Sequence, residues 1–428
     1  MAHEQGDIPR TLQLLRGALP CLEQPNIYLL LASILTETGS EADRAEAEKL
    51  LDELLASDPQ PGVVEEVQRL KMLIAIEQED WTTAEAIHTA MREADPDNIE
   101  VLVDGARLTR LQDNRPHSIA LLSEAERKLT TQTSLRHRHA LAVEWYALQE
   151  YQQAAKLYEY LANREANSPF TLKLLHCYFQ AGDLGKALEL GQHLLELYGP
   201  MPTVSEMVTA IYELVNNLPK ARQTAELYLE RFPHDFSMRL RLALVCLRAR
   251  DQAGIDAFLN TPIDTEELTL EECIHVAGLY SYRERVTEAL NIAYEARRRY
   301  MEDSKAHLFY VTLFFSTEHK QRQEVLNLST VDLDTAVCIK DETGKEEWHI
   351  IEQRKDRKAP YELAPEHPLA ANLMHKKAGE QIVLKESPYS TETGVICGVQ
   401  SKFVHAMQES MRLFERMFPG TPGLWNVK

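Results

Sequence analysis

The residues with chemistry to offer are few and scattered along this 428-residue chain. His137 and His139 stand in RHRHA, a density of imidazoles that suggests a metal site. On a helix, though, residues two apart point to different sides, so a solvated polar turn is the expected role. The six cysteines, Cys21, Cys177, Cys246, Cys273, Cys338 and Cys397, form no Cys-x-x-Cys pair and have no histidine at zinc-ligand spacing. They are expected to be reduced, mostly buried thiols. Residues Glu352 to Lys358, EQRKDRK, gather four basic side chains. Such a run could contact RNA or an acidic partner, but with little aromatic interleaving beyond Tyr361 it reads more simply as a solvated hairpin loop. Glycine-rich phosphate loop, nucleophile elbow and His-Glu-x-x-His helix are all missing. The sequence therefore predicts no catalytic residue, no metal site and no cofactor.

Charge narrows the partners. The formal net charge is −20, and thirteen basic against fifteen acidic residues from Val331 onward leave −18 for the residues before it. A surface of that sign repels phosphate backbones, so direct DNA binding by the first 330 or so residues is not expected. The opening MAHEQGDIPR lacks a basic stretch followed by an apolar one, and no apolar run approaches the ~18 residues a membrane span needs. A cytoplasmic location away from membranes is the expectation.

The elements that would position any site follow from an internal repeat. Polar turn residues recur at Asp7, Ser40, Asp80, Asp113, Glu150, Asp183, Asn217, Asp251 and Arg285, in steps of 33, 40, 33, 37, 33, 34, 34 and 34 residues. The two long steps hold SDPQPG at Ser57 to Gly62 and LTTQTS at Leu129 to Ser134, which are loop insertions. Four residues after the turn stand Ala84, Ala154, Ala187, Ala221 and Ala289, small enough for two helices to approach closely. Pro96 in ADPDN and Pro233 in FPHD mark helix ends.

This pattern, carried by DWTTAEAIHTAMREADPDN, EYQQAAKLYEYLA, AGDLGKALELGQHLLE and NNLPKARQTAELYLERFPHD, resembles the tetratricopeptide repeat over about three quarters of the chain. His117 and Ile255 depart from it at the small-residue position, and the hairpin around Arg285 is degenerate. The resemblance implies a right-handed α-solenoid of eight or nine hairpins over residues 1–328. Stacked hairpins bury apolar faces that none could bury alone, and their first helices line a groove for a protein partner. Tyr146, His176, Tyr178, Tyr212 and Tyr280 are the candidate groove contacts, with Tyr28 and Trp145 on the same helices. Residues of this kind more often fill the core between repeats. Asp7 sits at a turn, so the array begins half-way through a unit, and Leu12, Leu15 and Leu19 are expected on an exposed face. Such a face implies either a longer array or a docked partner.

Near Ser329 the helical period stops. Val337 to Ile339 and Trp348 to Ile351 read as strands flanking DETGKEE, where Gly344 suits a hairpin turn. Gln381 to Leu384 and Gly394 to Cys397 are further strands, with a short helix at Leu369 to His375 started by Pro368. The stretch HPLAANLMHKKAGEQIVL resembles the C-terminal domain of the bacterial transcript-cleavage factors GreA and GreB. Pro368, Leu369, Lys376, Lys377, Gly379 and Glu380 match that family's motif, while His367 stands where the family has serine. The resemblance implies a small FKBP-like α+β domain over residues 329–398, and docking on RNA polymerase. It does not carry over transcript cleavage, because the family's acidic coiled coil has no counterpart here.

A repeat array joined to such a domain also resembles large bacterial proteins that continue into a PIN-type ribonuclease. Those nucleases hold metal ions with carboxylates on a central sheet, and nothing after Trp425 offers one. If a PIN nuclease is involved, its domain is expected to lie outside this chain. Residues 399–428 complete the division: Ser401 to Phe418 form an amphipathic helix through Phe403, Val404, Met407, Met411, Phe414 and Phe418. Its apolar stripe is expected either to pack back on the sheet or to cover a missing next domain. The combined expectation is a mainly α, non-catalytic adaptor, and the alternative is the non-catalytic part of a ribonuclease.

Overall fold

The computed structural model describes residues 8–19, 24–38, 40–316, 328–353, 361–387 and 390–418. The chain divides into two compact units, Met1–Ile211 and Tyr212–Lys428. The first contains α1 (Ile8–Ala18), α2 (Pro25–Thr38), α3 (Glu41–Ala56), α4 (Pro61–Glu77), α5 (Trp81–Ala94), α6 (Ile99–Leu111), α7 (Arg115–Arg127), α8 (Leu135–Ala147), α9 (Tyr151–Leu161), α10 (Pro169–Gln180) and α11 (Leu184–Tyr198). After α12 (Pro202–Leu214), the second contains α13 (Leu218–Arg231), α14 (Phe236–Arg248), α15 (Gln252–Leu259), α16 (Leu270–Tyr282), α17 (Val286–Arg299) and α18 (Ser304–Ser316). It ends with β1 (Thr335–Asp341), β2 (Glu346–Ile351), β3 (Glu362–Leu363), α19 (Pro368–Leu373), β4 (Gln381–Ser387), β5 (Ser390–Ser401) and α20 (Lys402–Met417). A mainly helical, solenoid-like array of hairpins is thus followed by a small strand-containing region and a closing helix. Among the described residues no helix is long and apolar enough to cross a membrane.

One backbone device makes the hairpins and explains the period. Glu79, Asp113, Gln149 and Gly182 in the first unit, and Asn216, Arg250 and Glu284 in the second, adopt left-handed backbone with φ between 56° and 77°. The next residue sends its N–H to the carbonyl five positions back, as Asp80 does to Ala75 and Arg285 to Tyr280. These bonds satisfy carbonyls that a helix end leaves orphaned. Asp80, Asn114, Asp183, Asn217 and Asp251 then accept a backbone N–H three residues on with their side chains. A single polar residue therefore closes one helix and opens the next.

That geometry corrects the register of one repeat. Asn114, not Asp113, caps α7. Four residues on from Asn114 stands Ser118, fully buried with Oγ donating to the Ala106 carbonyl at 2.7 Å. His117 is exposed, so this hairpin keeps a small residue at its crossing after all. At the other departure, Ile255 is buried, and the close approach falls one place earlier: a Cβ on Gly254 would lie 2.4 Å from Cys246 Sγ. Ala84, Ala154, Ala187, Ala221 and Ala289 are all fully buried at their crossings.

The expected exposed face of α1 is also corrected. Leu12 is buried, and Leu15 and Leu19 pack with it against the cluster of Leu31, Leu35, Leu51 and Leu54. An apolar stripe finds the nearest apolar surface, and α2 with α3 supply it. Asp7 lies outside the described residues.

The strands form one sheet in the order β3-β2-β1-β5-β4, antiparallel except for the parallel β2–β3 pair. Gly344 takes φ +88° in the β1–β2 turn, a conformation that suits a residue without a side chain. One face of the sheet packs on α19 through Val337, Ile339, Ile351, Ile382, Ile396, Ala370 and Leu373. The short β3 had no sequence signal of its own.

The closing helix takes neither expected course in full. Phe403 and Ala406 of α20 are buried in the core of α14 to α18, beside Val276, Leu290, Ala293 and Tyr310, with Val404 and Met407 packed against it. Beneath that contact runs a buried polar layer. Arg298 pairs with Glu362, Arg297 reaches Ser410 Oγ at 2.5 Å and Glu409, and Tyr310 Oη donates to the Phe403 carbonyl at 2.9 Å. Lys402 Nζ donates to Asp334 Oδ1 at 2.8 Å, while Tyr294 Oη donates to Glu352 Oε1 at 3.1 Å. Burial raises the Tyr294 and Tyr310 phenols, which keeps both hydroxyls able to donate, and it lowers the His307 imidazole, whose Nε2 lies 2.8 Å from the Met301 carbonyl. Glu352, expected at the start of a solvated loop, belongs to this layer and is 3% exposed. The basic residues Arg354 to Lys358 lie outside the described residues.

Candidate functional site

First helices of successive hairpins pack on one another: α2 on α4 and α6 on α8 in the first unit, and α14 on α16 and α16 on α18 in the second. Charged pairs tie them. Arg69 of α4 bonds Asp104 of α6 at 2.7 Å, and Arg110 of α6 bonds Glu144 of α8 at 2.9 Å. These two carboxylates are buried in side chains 5% and 8% exposed. Burial pushes the Asp104 carboxyl up to about 6 against the pull of Arg69. First helices thus present a continuous layer within each unit.

On that layer α8 and α10 carry two adjoining rows. His139, Val143 and Tyr146 follow one face of α8 at helical spacing, and Phe170, Lys173 and His176 follow one face of α10. Two ring pairs join the rows, His139 against Phe170 at 5.0 Å between centroids and Tyr146 against His176 at 5.4 Å. Tyr146 Oη lies 3.0 Å from His176 Nδ1, Lys173 Nζ stands 3.9 Å over the Tyr146 ring, and Tyr151 packs edge-on to Tyr146 at 5.5 Å. His139, Val143 and Lys173 are exposed, while Tyr146, Phe170 and His176 are half-buried. Burial, aided by Lys173, lowers the His176 pKa, so the ring is neutral and can exchange a hydrogen bond with the phenol. The strip offers aromatic faces, one ammonium and a neutral imidazole. It is suited to holding a side chain or a peptide backbone.

The expected groove contacts therefore separate. Tyr146 and His176 come together. Tyr178 is buried with Oη donating to Glu159 Oε1 at 2.5 Å, towards α9. Tyr212 is 6% exposed, and Tyr280 is 8% exposed with Arg285 4.7 Å from its ring centroid. Trp145 is buried and Tyr28 half-buried. His137 and His139 diverge as helix geometry requires: His137 turns to Glu100 Oε1 at 3.3 Å, and His139 to Phe170.

In the strand region the motif residues build a turn. Pro368 is the first residue of α19, His367 caps it by accepting the Leu369 N–H, and Leu369 packs against the sheet core. The Lys376 carbonyl accepts the Val331 N–H, and Lys377 N–H donates to Glu380 Oε1 at 2.8 Å. Gly379, at φ +92°, donates its N–H to the Ile396 carbonyl at 2.7 Å. Each residue has work to do in joining α19 to β4.

Sequence reasoning missed one juxtaposition. Cys338 of β1 and Cys397 of β5, 59 residues apart, bring their sulfurs to 2.6 Å. Both stand in recognisable strands, but only the pairing of those strands brings them together. An oxygen of Glu346 lies within 4.8 Å of both sulfurs. The sulfurs touch directly, which leaves no space for an ion between them.

No protein-family model matches the chain, and no curated protein matches it. Among solved structures it is similar to a tetratricopeptide repeat protein from Parabacteroides merdae, at 15% identity over 55% of this chain and 92% of that one, with a TM-score of 0.37. It is similar to Naa15/Naa10 bound to HypK-THB at 14% identity, over 73% of this chain and 54% of that one, with a TM-score of 0.32. A human IFIT1 dimer with PPP-AAAA is similar at 16% identity, over 73% and 84%, with a TM-score of 0.30.

Proposed function

We propose that this chain is a non-catalytic scaffold that holds a segment of a protein partner against its first-helix layer. The observation that carries the reading is the double row on α8 and α10, where half-buried aromatic rings and Lys173 stand at the surface of packed helices. Rigid aromatic side chains lose little entropy on contact and tend to dominate binding energy. An extended peptide with an apolar or aromatic anchor and a carboxylate near it fits the rings and the ammonium. The test is affinity purification with mass spectrometry from cells expressing the full chain, in parallel with Tyr146→Ala and Lys173→Glu. A partner retained by the wild type and lost by both variants supports the reading. Equal recovery by all three, with the variants folded by circular dichroism, overturns it.

A finer reading goes with the motif at Pro368, Leu369, Lys376, Lys377, Gly379 and Glu380. In it residues 1–328 are the scaffold, 329–398 a Gre-like domain and 399–428 a closing helix, and the domain links a cytoplasmic scaffold to RNA polymerase. The support is the sequence resemblance together with a five-stranded sheet carrying one short helix. Because α20 buries its apolar face among α14 to α18, the test uses the full chain and not an isolated C-terminal fragment. Retention of purified core RNA polymerase at low salt, weakened by Lys377→Glu, is expected. No retention removes this link and leaves the scaffold reading intact.

A further inference from the structure

β1 and β5 are neighbours at the centre of the sheet, and their ladder carries a bulge. Cys338 opposes Gly398 and Ile339 opposes Ile396, so Cys397 is the extra residue. In an even ladder side chains alternate, and Cys397 would point to the face opposite Gly398 and Cys338. A bulge re-aims the residue it inserts, and here it turns Cys397 onto the Cys338 side. Gly398 keeps that side open: a Cβ there would lie 3.7 Å from Cys338 Cβ and 3.6 Å from the Trp348 ring. The Cys338 and Cys397 sulfurs are thereby brought to 2.6 Å across the two strands.

The two thiols differ in access. Cys397 is exposed, and Cys338 is 3% exposed with its thiol pushed up to about 12 by burial. Cys177, Cys246 and Cys273 are buried among helices, and burial raises each of them as well. An oxidant in solution therefore meets Cys397 first, with Cys338 directly behind it.

We propose that Cys338 and Cys397 are a redox-active dithiol, which hydrogen peroxide or a similar hydroperoxide oxidises to a cross-strand disulfide. The Cys397 sulfur attacks one peroxide oxygen. An S–O bond forms, the O–O bond breaks, and the departing hydroxide leaves as water with the proton given up by Cys397. The Cys338 sulfur then attacks the Cys397 sulfenic acid. The S–S bond forms, the S–O bond breaks, and the hydroxyl leaves with the Cys338 proton as a second water. Two thiols and one hydrogen peroxide give one disulfide and two waters. The sulfurs already touch, so no strand has to move for the second step. This inference is independent of what the first-helix layer binds.

The experiment treats the full chain with hydrogen peroxide, blocks remaining thiols with iodoacetamide and digests without reductant. A peptide pair linked through Cys338 and Cys397 is expected, lighter than its two free thiols by two hydrogens and split by dithiothreitol. Cys177, Cys246 and Cys273 are expected to stay unlinked. Cys338→Ser should leave Cys397 as a sulfenic acid that dimedone traps. Cys397→Ser, a change at an exposed position, should abolish both the link and the adduct. Oxidation of wild-type Cys397 to sulfinic acid without a linked peptide, or a link between two chains on a non-reducing gel, would overturn the proposal.

Discussion

Arg298 of α17 and Glu362 of β3 meet as a two-point ion pair, with Nε to Oε1 at 2.6 Å and a second contact from Nη2 to Oε2. Their side chains are 7% and 4% exposed. The pair joins the last helical hairpin to the edge of the sheet, inside the layer that also holds Tyr294, Glu352 and Lys402. A charge withdrawn this far from water is tolerated only while its partner remains.

Arg298→Ala strands the Glu362 carboxylate and should cost about 3–5 kcal/mol. The double change Arg298→Met with Glu362→Leu removes both charges and should cost much less. Urea unfolding of the three proteins checks this. A double variant as unstable as the single one would mean that the pair contributes shape and not charge balance.

The corrected register of the third hairpin has a direct test in neighbouring residues. Ser118→Arg drives a charge into a close helix crossing and should cost about 3 kcal/mol or more. His117→Arg, at an exposed position, should stay within about 0.5 kcal/mol of wild type. Ala187→Arg and Ala221→Arg should behave like Ser118→Arg. Thermal melts in which His117→Arg is the worse of the two would restore Asp113 as the cap.

His88 and Gly105 pack so closely that a Cβ on Gly105 would lie 2.2 Å from His88 Nε2, an atom also 3.1 Å from the Val101 carbonyl. Gly105→Ala should cost about 1–3 kcal/mol through overpacking. His88→Ala opens the space, so the double variant should lose less than the sum of the singles, with a coupling of about 0.5–3 kcal/mol. Strict additivity in a denaturation cycle would show that His88 yields freely.

Asp104 carries a pH signature. Burial pushes its folded carboxyl up to about 6 from an ordinary value of 3.8, with Glu100 adding to the push and Arg69 and Arg107 opposing it. Between those two values the folded chain holds the extra proton. Its contribution to stability is therefore greatest below the window, falls as pH rises through it, and is constant above it. Across the window the loss totals roughly 3 kcal/mol. Asp104→Asn should remove it from unfolding free energies measured between pH 4 and 7. An unchanged slope would place the titration elsewhere.

The helical array was legible because its causes are local. A left-handed residue followed by a cap recurs at nearly constant spacing, and in most repeats a small residue stands four positions later, Ile255 being a departure. Even the error at Asp113 was an error between two adjacent good caps, Asp113 and Asn114, and only the crossing partner Ala106 decided in favour of Ser118. The β1–β2 hairpin, α19 and its turn at Gly379 were legible for the same reason.

Local residue patterns thus mark where the chain turns and which faces are apolar. They leave open which apolar face meets which. The stripe of α20 went to the core of α14 to α18, and the leucines of α1 to the nearest hairpin, because buried area is non-directional and the closest matching surface takes it. Tertiary structure alone also converted Glu352 from a loop residue into a buried ligand of Tyr294, and brought Tyr146 to His176. Cys338 and Cys397 belong to that second class: two ordinary strand residues became a touching pair through strand pairing and one inserted residue, relationships set by the sheet as a whole.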